Sequence, residues 1–433
     1  MKRTFKNALL VGLLAFGTVN AQDQKTTTPN LKKLPPKTTQ PAPNVGPNRT
    51  QAEMQEQRNL AMGKPTVLQP MTYQNDDLNM KMYHLKNGLS VWISVNKAEP
   101  RVQTMIAVKA GSKNDPATHT GLAHYLEHML FKGTDKYGTK DYAKEKVELD
   151  IIEQLYEQYG AEKDETKRAQ IYHLIDSVSG VAANYAIANE YDKMVSNLGA
   201  KGTNAFTSTD MTVYVNDIPS NQIEKWLTLE AERFHNPVLR LFHTELEAVY
   251  EEKNRALDND PRKMYEAVLA SLFKNHAYGT QTTIGTIEHL KSPSITEIKK
   301  YFNANYVPNN MCIILCGDLD PDATVAKINE LWGNYIPKTV APYTFQPEVV
   351  RTAPEEISVY GPDKEQVIIG YRWPGCRSDE YFTQQMVDAI LSNGTAGLIN
   401  LNLVMTQKVL RAEAGLDENT DYNVYELIAN PRE

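Results

Sequence analysis

The sequence predicts an α+β protein with helices packed on a sheet, and three observations carry that expectation. Short apolar runs, alternating or continuous, recur between turn residues, as strands do. Longer stretches place apolar residues three and four apart, as amphipathic helices do. A strand that ends at a Gly and leads into helical spacing, at residues 102–111 and onward, returns faintly at residues 366–375 and 381–391, a weak internal repeat. A chain of 433 residues is long enough for two or three domains with proper cores.

At the N-terminus, Lys2, Arg3 and Lys6 precede the apolar run 8–16, and Val19-Asn20-Ala21 forms a small-residue cleavage site before Gln22. Residues 1–21 therefore read as a signal peptide, which places the mature protein in the periplasm or cell envelope. The run is too short to span a bilayer, no cysteine follows it to carry a lipid, and no later segment is long and apolar enough to cross a membrane. Residues 22–70 hold eight prolines among Thr, Lys, Gln and Asn, a composition that cannot bury a core and predicts a disordered tether.

Folded sequence begins near Leu78. Residues 82–86 and 89–95 read as a hairpin around Asn87-Gly88, and residues 102–110 as a further strand closed by Gly111-Ser112. The segment 141–198 turns rich in Glu, Lys, Tyr and Gln with helical spacing (Ile152 and Leu155, then Ile171, Leu174, Ile175 and Val178) and predicts a helical excursion on the outside of its domain. Strand patterning resumes at 211–215. Asp217-Ile218-Pro219-Ser220 is expected to open a helix through Trp226 and Leu229, and a charge-rich helix follows over 242–257, stopped by Asp258-Asn259-Asp260-Pro261. Residues 311–316 read as a strand and 322–332 as a helix. A linker with Pro337, Pro342 and Pro347 then leads to a strand at 366–371 and a helix at 381–391. The expected division is a first domain over 71–340 and a partial second over 345–433.

Charge and cysteines exclude some classes. The formal net charge of −7 falls to −10 once the leader's three cations are removed, which argues against a nucleic-acid partner. Cys312, Cys316 and Cys376 make no disulfide framework, and Cys312 and Cys316 are expected to pack as free thiols in a core strand.

The chemistry concentrates in residues 121–130. His124, Glu127 and His128 stand in the order H-x-x-E-H on a helix-compatible, otherwise apolar stretch, the inverse of a common zinc-ligand signature. On an α-helix they share one face, so both imidazoles can reach one metal ion with the glutamate close to its open position. A catalytic zinc needs a third protein ligand. The charge-rich helix offers one: Glu245 and Glu252 lie two turns apart on one face, Glu247 and Glu251 on another, and periodicity alone does not choose between Glu251 and Glu252. His119 reads as a loop histidine.

Residues 124–134, H-Y-L-E-H-M-L-F-K-G-T, closely resemble the insulinase/pitrilysin family of zinc peptidases. So do Gly111-Ser112-Lys113-Asn114-Asp115, the segment Asn204-Ala205-Phe206-Thr207-Ser208, the E-x-x-V-x-x-E-E pattern at 245–252, and Tyr306-Val307-Pro308-Asn309-Asn310-Met311 with Gly317-Asp318. The resemblance implies a mostly antiparallel sheet with helices on it, repeated as two homologous domains. It also implies an exported bacterial zinc metalloendopeptidase acting on extended or unfolded polypeptides. Residue by residue, it makes His124, His128 and Glu252 the ligands of one Zn2+ per chain, and Glu127 the general base toward the zinc-bound water. Glu245 becomes a supporting acid, and Asn204 and Ala205 part of an edge strand that pairs with substrate backbone.

Two features depart from the family pattern. The stretch between His128 and Glu252 is long, which the helical excursion accounts for. The distal half of the family's chamber supplies an Arg and a Tyr, and no such pair is identifiable here, so the second repeat reads as incomplete. A second half or partner subunit is the expected complement. The rival reading is a non-catalytic assembly or binding subunit.

Overall fold

The structure, a computed structural model, describes residues 68–432, so the expected signal peptide and nearly all of the expected tether lie outside the described residues. Alternation of apolar side chains builds the first sheet. In β3 (Arg101–Val108) the buried residues are Val102, Thr104, Ile106 and Val108, and in β6 (Met311–Gly317) they are Met311, Ile313, Leu315 and Gly317. Side chains two apart share a face, so each strand presents one apolar row to the core. The full order is β1 (Lys81–His84), β2 (Ser90–Val95), β6, β3, β5 (Thr212–Pro219) and β4 (Lys201–Thr207). Every neighbouring pair is antiparallel except β2 with β6, giving the mixed, mostly antiparallel sheet that was expected.

Helices pack on this sheet. They are α1 (Leu122–Met129), α2 (Tyr142–Ala161), α3 (Glu165–Ala183), α4 (Glu190–Asn197), α5 (Ile223–His235), α6 (Phe242–Leu257), α7 (Asp260–Leu272), α8 (Ile295–Asn305) and α9 (Pro321–Trp332). Aromatic rings fill the space between α5, α9 and the sheet: Phe234 lies 5.0 Å from Tyr214 and 5.8 Å from Trp332, centroid to centroid. The second unit is smaller. Strand β7 (Val367–Pro374), helix α10 (Tyr381–Leu391), and strands β8 (Val409–Asp417) and β9 (Tyr422–Pro431) form a three-stranded antiparallel sheet in the order β7-β9-β8.

Three expectations need correction. Asp217, Ile218 and Pro219 do not open a helix: they pair with Gln103, Val102 and Arg101 in the sheet, and α5 starts only at Ile223. The tetrapeptide 258–261 stops α6 but also starts α7, because Asn259 Oδ1 accepts the Arg262 N–H at 2.9 Å and Pro261 occupies the first turn. The thiols are free, but Cys312 and Cys316 sit on the face of β6 opposite the core row, one half-buried and the other exposed.

The helical excursion is α2, α3 and α4, and it is anchored from beneath. Glu145 of α2 is fully buried against Arg240, whose Nε donates to Glu145 Oε1 at 2.9 Å. The same guanidinium donates to the carbonyls of Lys132 (2.7 Å), Thr134 (2.6 Å) and Tyr137 (3.2 Å) in the loop that follows α1. Arg240 thus ties the loop after α1 and α2 to the segment that leads into α6. At the other end, Tyr156 Oη and His243 Nδ1 are hydrogen-bonded at 2.8 Å, which seats α2 on the first turn of α6.

The second sheet meets the first unit through a polar junction. Lys113 Nζ lies 2.6 Å from Asp210 and 2.7 Å from Asp421 in the β8–β9 turn, and Tyr278 Oη donates to Asp210 at 2.9 Å. The fully buried His276 brings Nε2 to 3.4 Å from Asp421. Burial pushes the Asp421 carboxyl up, but the His276 and Lys113 contacts outweigh it and hold the group at about 2.

Two outcomes are expected from this architecture. Arg240→Ala leaves Glu145 buried without its cation and should cost about 3–5 kcal/mol in chemical denaturation. A carboxyl depressed from 3.8 to about 2 contributes stability that is present above 3.8 and lost as the pH falls toward 2. Asp421→Asn should therefore flatten the acid slope of the stability profile across that window.

Candidate metal centre

Helix α1 starts where a glycine is required. Gly121 has φ of +88°, and a Cβ there would lie 2.6 Å from the Ile284 carbonyl oxygen. The first turn is capped from outside the helix: Asp115 Oδ2 accepts the Gly121 N–H at 2.8 Å, and Oδ1 accepts the Ala123 N–H at 2.9 Å. Asp115 reaches this point because Gly111 lets the chain pass close to β4–β5, where a Cβ would meet the Ser208 carbonyl at 2.3 Å. Leu122, Ala123, Leu126 and Met129 bury the apolar face of α1, which leaves His124 and His128 facing outward toward α6.

Helix α6 is held beside α1 by Tyr125. Its hydroxyl donates to the Phe242 carbonyl, and the two rings lie 4.6 Å apart. From that starting point α6 brings two acids to the histidines, two turns apart. Glu245 Oε2 is 3.4 Å from His128 Nδ1, and Lys132 pairs with the other oxygen. Glu252 Oε2 lies 3.6 Å from His124 Nε2 and 3.7 Å from His128 Nε2. Of the two glutamates that periodicity left open, Glu252 faces the imidazoles, and Glu251 is exposed and lies outside the cleft.

His124, His128 and Glu252 each offer a ligand atom, all within 4.8 Å of one another. Ligands bonded at about 2.0–2.1 Å to one tetrahedral ion stand roughly 3.3 Å apart, so small side-chain shifts would close the set around zinc. Burial, then the neighbouring His128 and the positive charge of Arg262, lower the His124 imidazole to about 3, so it is neutral and its lone pair is free to ligate. His124 Nδ1 is buried without a hydrogen-bond partner. The Nε2 atoms of both histidines face the Glu252 carboxylate, so two imidazole nitrogens and one carboxylate oxygen converge, the donor types that zinc takes. The donor set fits zinc.

Glu127 sits beside this group, 8% exposed. Thr207 Oγ1 donates to its Oε2 at 2.5 Å, leaving Oε1 for a water. Burial raises the Glu127 carboxyl, the Thr207 bond and His128 pull it down, and Glu252 pushes it up; the net shift is upward. A carboxylate with raised proton affinity is a better base than a solvated one.

These residues open on a cleft of about 440 Å³ walled on one side by β4. β4 is the last strand of the sheet, so its outer backbone edge is unpaired, and a register shift breaks its pairing with β5 between Lys201 and Asn204. Asn204 and Ala205 both line the cleft, but successive residues point to opposite faces: Asn204 is exposed and Ala205 is buried. His119 stands outside the cleft, stacked on His289 at 6.3 Å.

Sequence reasoning missed four residues. Asp115 and Thr207 were within segments quoted for their motif, and Thr207 is two residues from Ala205 on the same strand face. Lys132, one turn beyond His128, orients Glu245. Arg262 lines the cleft from α7, a helix that the pattern at 258–261 concealed. Because Asp115 alone caps α1 through its side chain, Asp115→Ala should cost about 1–3 kcal/mol and weaken metal retention; thermal denaturation with and without a chelator measures both.

Comparison with known proteins matches this geometry to a family. Residues 91–149 and 155–286 match the profile of the insulinase family, peptidase family M16, and residues 294–430 match the profile described as the peptidase M16 inactive domain. The zinc protease PqqE of Helicobacter pylori is 24% identical, over 74% of this chain and 62% of its own length. The uncharacterized zinc protease YmfH of Bacillus subtilis is 23% identical, over 72% and 61%. A probable mitochondrial-processing peptidase subunit beta of Schizosaccharomyces pombe is also 23% identical, over 71% and 58%. The chain thus spans about three-fifths of the length of these curated relatives. Among solved structures, a protease from Helicobacter pylori superposes with TM-score 0.60 at 20% identity, covering 82% of this chain and 75% of that one. Pitrilysin superposes with TM-score 0.59 at 18% identity, covering 85% of this chain and 36% of its own. Two profiles of one family, met in order between residues 91 and 430, make this chain a member of the insulinase/pitrilysin family of peptidases.

Proposed function

We propose that this chain is the zinc-holding part of an exported metalloendopeptidase that hydrolyses peptide bonds in extended or unfolded polypeptides. One observation carries the reading: His124, His128 and Glu252 converge beside a buried Glu127, at the open edge of β4. When bound there, zinc would supply a Lewis acid and bring the pKa of water toward about 7. The protein's own residues account for the rest. Glu127 Oε1 takes the proton of the attacking water and delivers it to the departing amide nitrogen. Thr207 fixes the rotamer of that carboxylate by occupying Oε2. Glu245, itself held by Lys132, keeps His128 in orientation through Nδ1, the kind of outer contact that tunes a metal-ligating histidine.

The edge of β4 offers N–H and C=O groups to one more strand, so a substrate backbone would add to the sheet with limited sequence preference. Asn204 and Ala205 would contact that strand. Among the described residues the cleft is lined by no Tyr, and its Arg comes from α7 rather than from the second unit. A second half, in a longer chain or a partner subunit, is therefore the proposed complement of the chamber. The leader at 1–21 supports the periplasmic or cell-envelope location.

Glu127→Gln should retain about one zinc per chain by elemental analysis and lose peptide hydrolysis by at least about 10²-fold. Full activity in this variant would sink the assignment, as would loss of the metal with it. A wild-type chain that binds peptide and holds zinc, yet never turns over even with a second half added, would instead be the non-catalytic assembly subunit.

A further inference from the structure

Arg262 is the one Arg or Lys among the residues that line the cleft, and neither the metal group nor the base uses it. Its position is built. The backbone N–H is capped by Asn259 Oδ1 at the start of α7, and Nε pairs with Glu266 Oε1 at 3.2 Å one turn on. The side chain is 41% exposed. With Nε held, both Nη groups of the fork are left for a ligand, and a guanidinium fork matches a carboxylate in two parallel hydrogen bonds. Glu127 and Glu252 bring two negative charges to this cleft, which the zinc of the reading above would balance, so Arg262 would leave it net positive toward a substrate carboxylate.

Resting on the peptidase reading above, we propose that Arg262 determines specificity by drawing a substrate carboxylate, from an Asp or Glu side chain near the scissile bond or from a free C-terminus, into the cleft. The effect is set by opposing fields over a few ångströms and is weakened by salt.

The test uses the zinc-loaded full chain carrying Glu127→Gln and matched fluorescent peptides with Glu, Gln or Lys at successive positions, each with a free or an amidated C-terminus. Anisotropy should rank Glu above Gln by about threefold to tenfold. Arg262→Ala should narrow that ranking severalfold and Arg262→Glu should narrow it further, with zinc content and melting temperature as folding controls. Glu266→Gln, which removes the opposing charge and keeps an acceptor for Nε, should steepen the ranking. A preference lost on amidation assigns the carboxylate to the C-terminus, and one that survives assigns it to a side chain. An unchanged ranking in the Arg262 variants overturns the proposal, as does no measurable difference between Glu and Gln peptides in the parent. A charge ranking that persists while the chain with Glu127 intact cleaves nothing even with a second half added would sink the peptidase reading and leave this one standing.

Discussion

Everything at the metal centre depends on how two helices lie against each other. The candidate ligands come from α1 and α6, with more than a hundred residues of chain between them, so no local propensity can set their separation. The contact that does so is buried: Tyr125 docks on Phe242 through both its ring and its hydroxyl, and the Tyr156 ring of α2 packs on Phe242 at 5.0 Å. From that fixed point helical geometry does the rest, since residues seven apart on α6 rise by about 10 Å along one face. Glu245 then meets His128 from behind, and Glu252 meets both imidazoles in front.

Electrostatics complements this packing. Three ionisable groups crowd a small volume, and the surroundings of each shift it in a different way. His124 is neutral because it is buried near positive charge, and Glu245 is kept ionised by Lys132 and His128 against its own burial. Glu127 has a raised proton affinity because burial outweighs its single hydroxyl donor. The large buried ion pairs lie elsewhere: Arg240 with Glu145, and Arg233 with Glu230, are sealed in the core and serve architecture.

Much of this was legible in the sequence for physical reasons. Period-two and period-3.6 patterns identify β3, β6, α6 and α9 almost to the residue, because each buries one mostly apolar row. H-x-x-E-H is readable because its spacing is local. The choice of Glu252 over Glu251 is not, since it depends on the rotation of α6 about its axis, which Phe242 and Leu246 set by tertiary contact. Thr207 escaped notice because a hydroxyl on a strand has many ordinary uses. Helix α8 was overlooked although Ser294 and Glu297 stand three apart, a spacing typical of a helix start, and Ser294 does cap Glu297. Cys312 and Cys316 misled because an apolar strand at the centre of a sheet has two faces, and only one of them is packed.

The short turn between β3 and α1 joins two parts of the molecule that are otherwise distant. Lys113 is gripped by the β8–β9 turn through Asp421, and Asp115, two residues on, holds the first N–H groups of the histidine helix. A displacement of the small sheet would therefore reach the histidine helix after only the few covalent bonds from Lys113 to Asp115. In mechanical terms the small sheet is a handle on the histidine helix, and whatever grips that handle also sets the tension on the site.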